Sequence, residues 1–447
     1  MTPESDLLAL ADGLVERART AGADAADAVA VENRSLSLTL RLGETERLER
    51  SEGIDVGLRV FVGQRQAMVS SSDVSDGTLA DLVERAVAMA PVVPEDPYCG
   101  LADAALLAAD VADVDACEDA EATVEDLTDR ARAAEDAART VAGVTNSEGA
   151  EADWGQSVRA IAASNGFART SRRSWHSLSV SVLAGEGTAM ERDYDYASAV
   201  YGGDLDDAAL LGRRAGEKAV ARLGPRKARS AQVPIVYDPR AARSLLGHLG
   251  GAINGASVAR GTTFLKDRMG DRLFSDSITV VDDPLRRRGL RSRPFDGEGI
   301  ATRRMAIIDA GVLTTWVLDL RSARQLGLDS TGHATGGTAS PPSPATSNLY
   351  LEPGAVSPEA LMADIADGFY VTELIGFGVN GVTGDYSRGA SGFWIENGAL
   401  AYPVSEVTVA GNLVDMFANL SAADDLEFRY GTDAPTVRID GMTIAGR

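Results

Sequence analysis

Three histidines are the whole imidazole supply of this 447-residue chain: His176, His248 and His333. Imidazole is the commonest catalytic base and zinc ligand, so their surroundings come first. His248 lies in an apolar, glycine-rich helical stretch, Leu245-Leu246-Gly247-His248-Leu249-Gly250-Gly251-Ala252. A helical zinc motif needs a second histidine one turn on and a carboxylate to activate water. Leu249 and Ala252 can neither ligate nor act as a base. His176 is in strand phase with Leu178 and Val180 and reads as a half-buried structural histidine. His333 sits in the loop Thr331-Gly332-His333-Ala334-Thr335-Gly336-Gly337. Glycine there would let backbone approach a ligand, or would simply turn a loop. No spacing makes the three converge.

Other motifs are weaker. Gly376-Phe377-Gly378-Val379-Asn380-Gly381 matches the dinucleotide string G-x-G-x-x-G. That fingerprint needs a helix after it, to hold a pyrophosphate on its N-terminus. Here loop and strand follow, so a turn-rich loop is expected. Gly389-Ala390-Ser391-Gly392 is part of a nucleophile elbow without its following helix. Arg286, Arg287, Arg288, Arg291 and Arg293 form a basic cluster that could take a phosphate or an acidic peptide. Its plainer reading is a solvated loop, or one paired with acidic residues of this chain or a partner.

The elements that would carry these residues follow from periodicity. Leu7, Leu8, Ala11, Leu14, Val15 and Ala18 predict a helix over 5–22. Leu36, Leu38, Leu40 and Leu42, then Ile54, Val56, Leu58, Val60 and Val62, predict half-buried strands. Leu79, Leu82, Val83 and Ala86 predict a helix capped by Ser75 or Asp76. Further helices are expected near 121–141, 206–223 and 239–255, with strands at 158–162, 178–182, 233–237 and 305–318 and hairpins turning at Asn165-Gly166 and Asn397-Gly398. The fold class is α+β. An N-terminal α+β domain (1–95) is followed by an acidic linker (96–120) and a middle α+β domain (121–225). A strand-rich C-terminal domain with antiparallel sheets (232–447) closes the chain.

Composition narrows function by exclusion. The net charge of −23 argues against nucleic acid or an anionic membrane as a partner. Two cysteines, Cys99 and Cys117, in an acidic stretch expected to be exposed suit a reducing compartment. The acidic start Met1-Thr2-Pro3-Glu4-Ser5-Asp6 lacks a basic-then-apolar signal, and apolar runs are too short to span a membrane. A cytoplasmic protein is expected.

Longer strings carry a resemblance. They are Gly384-Asp385-Tyr386-Ser387-Arg388-Gly389-Ala390-Ser391-Gly392-Phe393-Trp394-Ile395-Glu396-Asn397-Gly398, then Ala401 to Glu406, Ala410 to Leu413 and Arg438 to Gly446. Pro294-Phe295-Asp296-Gly297-Glu298-Gly299, the Gly332-His333 loop and Ser164-Asn165-Gly166-Phe167 belong with them. Together they resemble the TldD/PmbA family over nearly the whole chain, and within it the PmbA branch, also called TldE.

The resemblance implies a division of labour. TldD-type chains carry a helical His-Glu-x-x-x-His zinc motif, and PmbA-type chains are their partners in a heterodimeric metallopeptidase. Aligned through Leu245-Leu246, that motif's first His, Glu and second His fall on Gly247, His248 and Ala252. Started at His248 instead, they fall on His248, Leu249 and Ile253. Either register loses the metal. The C-terminal cysteine ligand of TldD-type chains is also missing, since no Cys follows Cys117. The expectation is a non-catalytic subunit with no metal or cofactor of its own, zinc on the partner, and a catalytic role only in the pair. Its substrates would be unfolded peptides, such as leader peptides of ribosomal peptide antibiotics or an antitoxin. A substrate channel or interface is expected at His333, Gly384, Asp385, Tyr386, Ser387 and Arg388, where substrate would add as an extended strand. The alternatives are a free-standing homodimeric amide hydrolase and a binding regulator of the gyrase-modulator kind.

Overall fold

The computed structural model describes residues 3–446; Met1 and Thr2 of the acidic N-terminal stretch, and Arg447, lie outside the described residues. The first half of the chain runs α1 (Pro3–Thr20), β1 (Ala25–Arg41), β2 (Glu44–Val62), β3 (Arg65–Ser71), α2 (Asp76–Met89), α3 (Val124–Arg139), β4 (Val144–Ala163), β5 (Ala168–Ala184), β6 (Glu191–Ala199) and α4 (Ala208–Ala221). Ser75 is the residue before α2, as its pattern predicts. The predicted strands are real but much longer than their apolar cores. Leu42 does not extend β1. It takes the left-handed first place of a tight turn (φ +52°, followed by Gly43 at +83°) and is exposed. The buried carboxylate of Glu135 accepts both N–H groups of that turn, at 2.8 and 2.9 Å.

The expected N-terminal and middle domains share one sheet of order β3-β2-β1-β4-β5-β6. Strand alternation sets its two faces. Even positions of β1 and β4 face helices. Ala26, Ala28, Ala30 and Val158, Ala160, Ala162 lie under α1 and α2, while Leu36, Leu38, Leu40 and Ala150, Ala152, Trp154 lie under α3 and α4. Odd positions of the same stretch, Val29 and Ile161, lie on the opposite face and pack on Phe167, Phe295 and Ala108. Two period-two patterns far apart in sequence were therefore two ends of one sheet.

Residues 96–120 are not a free linker. Their main chain is hydrogen-bonded along the seam between this sheet and the last part of the chain: Ala108 N–H to the Gly299 carbonyl at 2.9 Å, Arg288 N–H to Val114 at 2.8 Å, and Ser174 N–H to Ala116 at 3.0 Å. Arg324 also donates to the carbonyls of Tyr98, Gly100 and Leu101. Cys99 and Cys117 are consequently half-buried rather than exposed, and burial pushes both thiols up.

The remaining chain runs β7 (Ala231–Tyr237), α5 (Pro239–Ala252), α6 (Gly255–Ala259), β8 (Val280–Asp282), β9 (Met305–Asp309), β10 (Val312–Leu313), α7 (Leu320–Leu326), β11 (Ala334–Thr335), β12 (Ser343–Pro344) and β13 (Leu349–Leu351). It ends with α8 (Pro358–Met362), β14 (Asp367–Ile375), β15 (Asp385–Glu396), β16 (Ala399–Asn412), α9 (Leu413–Ala418), β17 (Leu420–Ala422), β18 (Thr432–Asp433) and β19 (Val437–Ala445). Pairing in the order β16-β15-β14-β7-β19 closes on itself, because β19 also pairs with β16. The strand-rich region is thus a small barrel, mostly antiparallel, with β14 and β7 parallel. A second sheet, β10-β9-β8-β13-β18, stands beside it. Arg240 at the start of α5 ties barrel to first sheet, donating to Asp193 of β6 at 2.8 Å.

Few aromatics are needed because small residues let elements approach closely. On α4, Gly212 and Gly216 face Ala134 and Ala138 of α3, and a Cβ on Gly212 would stand 2.0 Å from the Ala134 carbonyl oxygen. Gly212→Ala must push the helices apart. Its expected cost is about 1–3 kcal/mol, seen as a lower midpoint in denaturant unfolding. An unchanged midpoint would contradict this packing.

Candidate functional site

Helix α5 carries the stretch that would hold a metal. Asp238 caps it by accepting the Arg240 N–H at 2.8 Å, and Pro239 supplies its first turn. Its buried stripe is Ala241, Ala242, Leu245, Leu246, Leu249 and Ala252. Gly247 is exposed, and His248 sits half-buried at the border of the stripe. The His248 ring meets the Tyr386 ring edge to face, with centroids 5.9 Å apart. Tyr386 and Arg388 are two apart on β15 and so share one face. Burial first, then the Arg388 charge, lowers the His248 pKa, which keeps the imidazole neutral. Three buried atoms of this trio, His248 Nε2, Tyr386 Oη and Arg388 Nε, have no hydrogen-bond partner among the described residues.

A catalytic zinc takes three protein ligands and an open position. The donors here are one imidazole, a phenol and a guanidinium whose positive charge opposes a dication. Gly247 and Ala252 offer no side-chain donor. This set does not fit zinc. Among the described residues no group of three or more His, Cys, Asp or Glu side chains is placed to hold a metal ion.

Sequence reasoning thus found three residues that meet, His248, Tyr386 and Arg388, and others that do not join them. Asp385 and Ser387 point to the opposite, exposed face of β15, where Asp385 accepts from Thr383 and Asn412 and its carboxyl is held low by those bonds. Gly384 makes the turn into β15 at φ +80°. Strand addition at Gly384–Gly389 is closed off, because β16 pairs with one edge of residues 385–389 and the loop Gly378–Asn380 bonds the main chain of Asp385 and Ser387 on the other. His333 is buried with both ring nitrogens engaged, by Thr331 Oγ1 at 2.8 Å and Asp282 Oδ2 at 3.1 Å. Asp282 also takes the N–H and hydroxyl of Ser347, so Ser347 donates to the carboxylate and not to an imidazole. This is a buried structural network rather than a nucleophile. His176 is likewise structural, held by Glu118 at 2.8 Å and Arg130 at 3.2 Å.

One large cleft was not read from sequence. It measures about 810 Å³ and runs between the first sheet and the second half of the chain. Its walls include Asp115 to Cys117, Ser157, Arg159 and Ile161 of β4, Thr170 to Arg173 of β5, and Arg291 to Gly297. Thr346, another wall residue, stands 3.6 Å from where a Cβ on Gly250 would lie, so the end of α5 borders the cleft. The basic cluster divides here. Arg287 and Arg288 pair with Asp115 at 3.0 and 2.7 Å, and Arg286 stacks on Phe428. Arg291 and Arg293 instead enter the cleft.

Family profiles match the chain in series: PmbA/TldA metallopeptidase domain 1 over residues 26–90, the central domain over 117–223 and the C-terminal domain over 230–446. The chain belongs to the PmbA/TldD family. It is 38% identical to the metalloprotease PmbA of Escherichia coli O157:H7, over 95% of this chain and 93% of that one. Its identity to the Haemophilus influenzae homologue is 36%, over 99% and 97%. A crystal structure from Bacteroides thetaiotaomicron, named as a candidate modulator of DNA gyrase, superposes at TM-score 0.91 with 28% identity, covering all of both chains. TldE of Thermococcus kodakarensis shares the fold, at TM-score 0.87, 20% identity and coverage of 97% and 99%. The PmbA relatives are named metalloproteases, yet α5 of this family member lacks a zinc donor set.

The string Pro294 to Gly299 lies at the seam. Asp296 is buried and accepts the N–H groups of Glu298, Ile300 and Ala334. Glu298 accepts the Leu320 N–H at 2.9 Å, and burial together with Asp296 pushes its carboxyl up to about 8. The folded chain therefore keeps a proton that the unfolded chain loses near 4.5. Stability contributed by this group falls as pH rises from about 4.5 towards about 8. Glu298→Gln should flatten that part of the pH dependence of the melting temperature. An identical slope in both proteins would refute the assignment.

Proposed function

We propose that this chain is the metal-free subunit of a two-chain peptidase, working in the cytoplasm with a TldD-type subunit that carries zinc, on unfolded peptides. The observation that carries the reading is α5. Where the TldD-type motif has two ligands and a base, this family member has Gly247, His248 and Ala252, with Arg388 beside the histidine. The helix keeps its apolar anchoring stripe, so the architecture survives without the chemistry. Leader peptides of ribosomal antibiotics and an antitoxin are the substrates this reading favours. Among the described residues no helix is long and apolar enough to cross a membrane.

The end of β14 and the loop that leads to β15 support a partner contact. Ile375, Phe377 and Val382 are exposed there by 59%, 98% and 56%. An apolar trio left in water gains most by docking. Phe377→Asp should weaken association with the TldD-type chain by roughly 2 kcal/mol, as for a central aromatic anchor, measured by analytical ultracentrifugation. Unchanged affinity would move the interface elsewhere.

Two measurements test the whole reading. Metal analysis of the purified chain should find zinc far below stoichiometry. One zinc per chain would favour a free-standing hydrolase. Cleavage of an unfolded labelled peptide should need both chains. Equal cleavage by the TldD-type chain alone would remove this subunit from the reaction. A pair that binds but never cleaves would favour a regulator.

A further inference from the structure

The arginines of the large cleft stand apart from the others in this acidic chain. Arg59 forms a bidentate pair with Asp27, and Arg240 pairs with Asp193. Arg159, Arg173 and Arg293 have no carboxylate within ion-pair distance among the described residues. Arg173 donates only to the Ser292 carbonyl, at 3.1 Å, and Arg293 only to the Ala345 carbonyl, at 2.6 Å. Arg159 Nε and Arg293 Nε are buried with no hydrogen-bond partner among the described residues. Burial lowers all three pKa values; the charge of Arg293 adds to this at Arg159 and Arg173, and that of Arg291 at Arg173 and Arg293, while Asp296 opposes it at Arg159 and Arg293 from beyond ion-pair distance. Arg291 adds a fourth charge at the rim. Burying a guanidinium without its counter-ion costs stability and gains nothing for the fold. A chain of net charge −23 had many carboxylates with which to neutralise them.

The same cleft exposes main chain. β6 pairs with β5 only from His176 onward, so residues 168–175 are the sheet's edge. The Ser174 N–H points off this edge, to the Ala116 carbonyl. By the alternation of an antiparallel ladder, the N–H and C=O of Thr170 and Arg172 point the same way. No main-chain partner takes them among the described residues. An open edge beside a set of guanidiniums matches one ligand form: a strand whose side chains carry carboxylates. A free phosphate would use the guanidiniums but neither the edge nor a cleft of about 810 Å³.

We infer that this cleft binds an acidic peptide in extended form, added as a strand to the edge at Thr170 and Arg172, with its carboxylates on Arg159, Arg173 and Arg293. Main-chain bonds make the addition tolerant of sequence, and the arginine forks make it selective for acidic side chains. This deepens the peptidase-subunit reading by naming a substrate class. It is tested on the full single chain, with no cleavage measured, so its failure would leave the two-chain reading standing.

The experiment is fluorescence anisotropy with a labelled Glu-Gly repeat peptide and its Gln-Gly counterpart. The acidic peptide should bind at least about tenfold more tightly, and the preference should shrink as salt rises. The double variant Arg159→Gln, Arg293→Gln should lose the preference while its melting temperature holds or rises, because two unpaired buried charges have gone. Arg169→Gln, an exposed neighbour, should change nothing. Thr170→Pro removes an outward N–H without breaking the ladder, and should weaken both peptides alike. Equal binding of the two peptides by the wild-type chain would overturn the proposal. So would unaltered preference in the double variant, or a marked drop in its melting temperature with binding intact. Displacement of the acidic peptide by inorganic phosphate at matched ionic strength would assign the cleft to a small oxyanion instead. Unaltered binding by Thr170→Pro would remove the added strand.

Discussion

The two-faced ladder of β1, β4 and β5 is the constraint on which the other arrangements rest. Successive residues of a strand point to opposite faces, so a register set once is set along its whole length. Even positions along β1 and β4 bury alanine, leucine and valine under two helical pairs. That burial leaves the odd positions no choice of direction. Asp27, Val29, Ser157, Arg159 and Ile161 must then face the second half of the chain or the cleft beside it. Arg159 reaches the cleft through the register that seats Val158 and Ala160 under α1, so a single-residue slip would bury its charge against that helix.

The charged groups at the seam fall into two kinds, and the difference is physical. Asp27 with Arg59, and Asp193 with Arg222 and Arg240, are neutralised at short range. Removing one member of such a set would leave the other buried and unpaired, the costly case. The cleft arginines already are that case. Proteins keep uncompensated buried charge where a ligand supplies the compensation, since selection for stability alone would neutralise it. Glu298 shows a third solution nearby, in which a buried carboxyl beside Asp296 gives up its charge by keeping its proton.

How much of this was legible in the sequence follows from how local each signal is. Helix boundaries near 121–141, 206–223 and 239–255 were readable because caps and apolar periodicity are local: Thr123, Asp207 and Asp238 each accept a main-chain N–H in the first turn. The placing of Gly247, His248 and Ala252 on one helix was readable for the same reason. The shared sheet was not, because pairing of β1 with β4 joins residues more than a hundred positions apart. The linker misread has a similar origin. Its acidic composition resembles a solvated tether, and what holds it down is contacts with residues distant in sequence, among them Arg324, Arg288, Gly299 and Ser174. Arg159 and Arg173 look like ordinary outward strand residues in sequence. What marks them is a missing partner, which is a three-dimensional property.

The helix α5 shows what holds this part of the fold without a set of metal donors on its surface. Its stability comes from the stripe Leu245, Leu246, Leu249 and Ala252 against the barrel, together with the Asp238 cap. Gly247 and His248 lie off or at the edge of that stripe, while Ala252, the third position of the motif, belongs to it. Restoring ligands at those positions alone would not restore a site. Arg388 would still stand beside them, fixed on β15 by its pairing with Val409 of β16, and its charge opposes a dication. The poor fit of this surface to a zinc ion therefore lies in the barrel strand as well as the helix. Two elements far apart in sequence carry it, and reversing it would require coordinated changes in both.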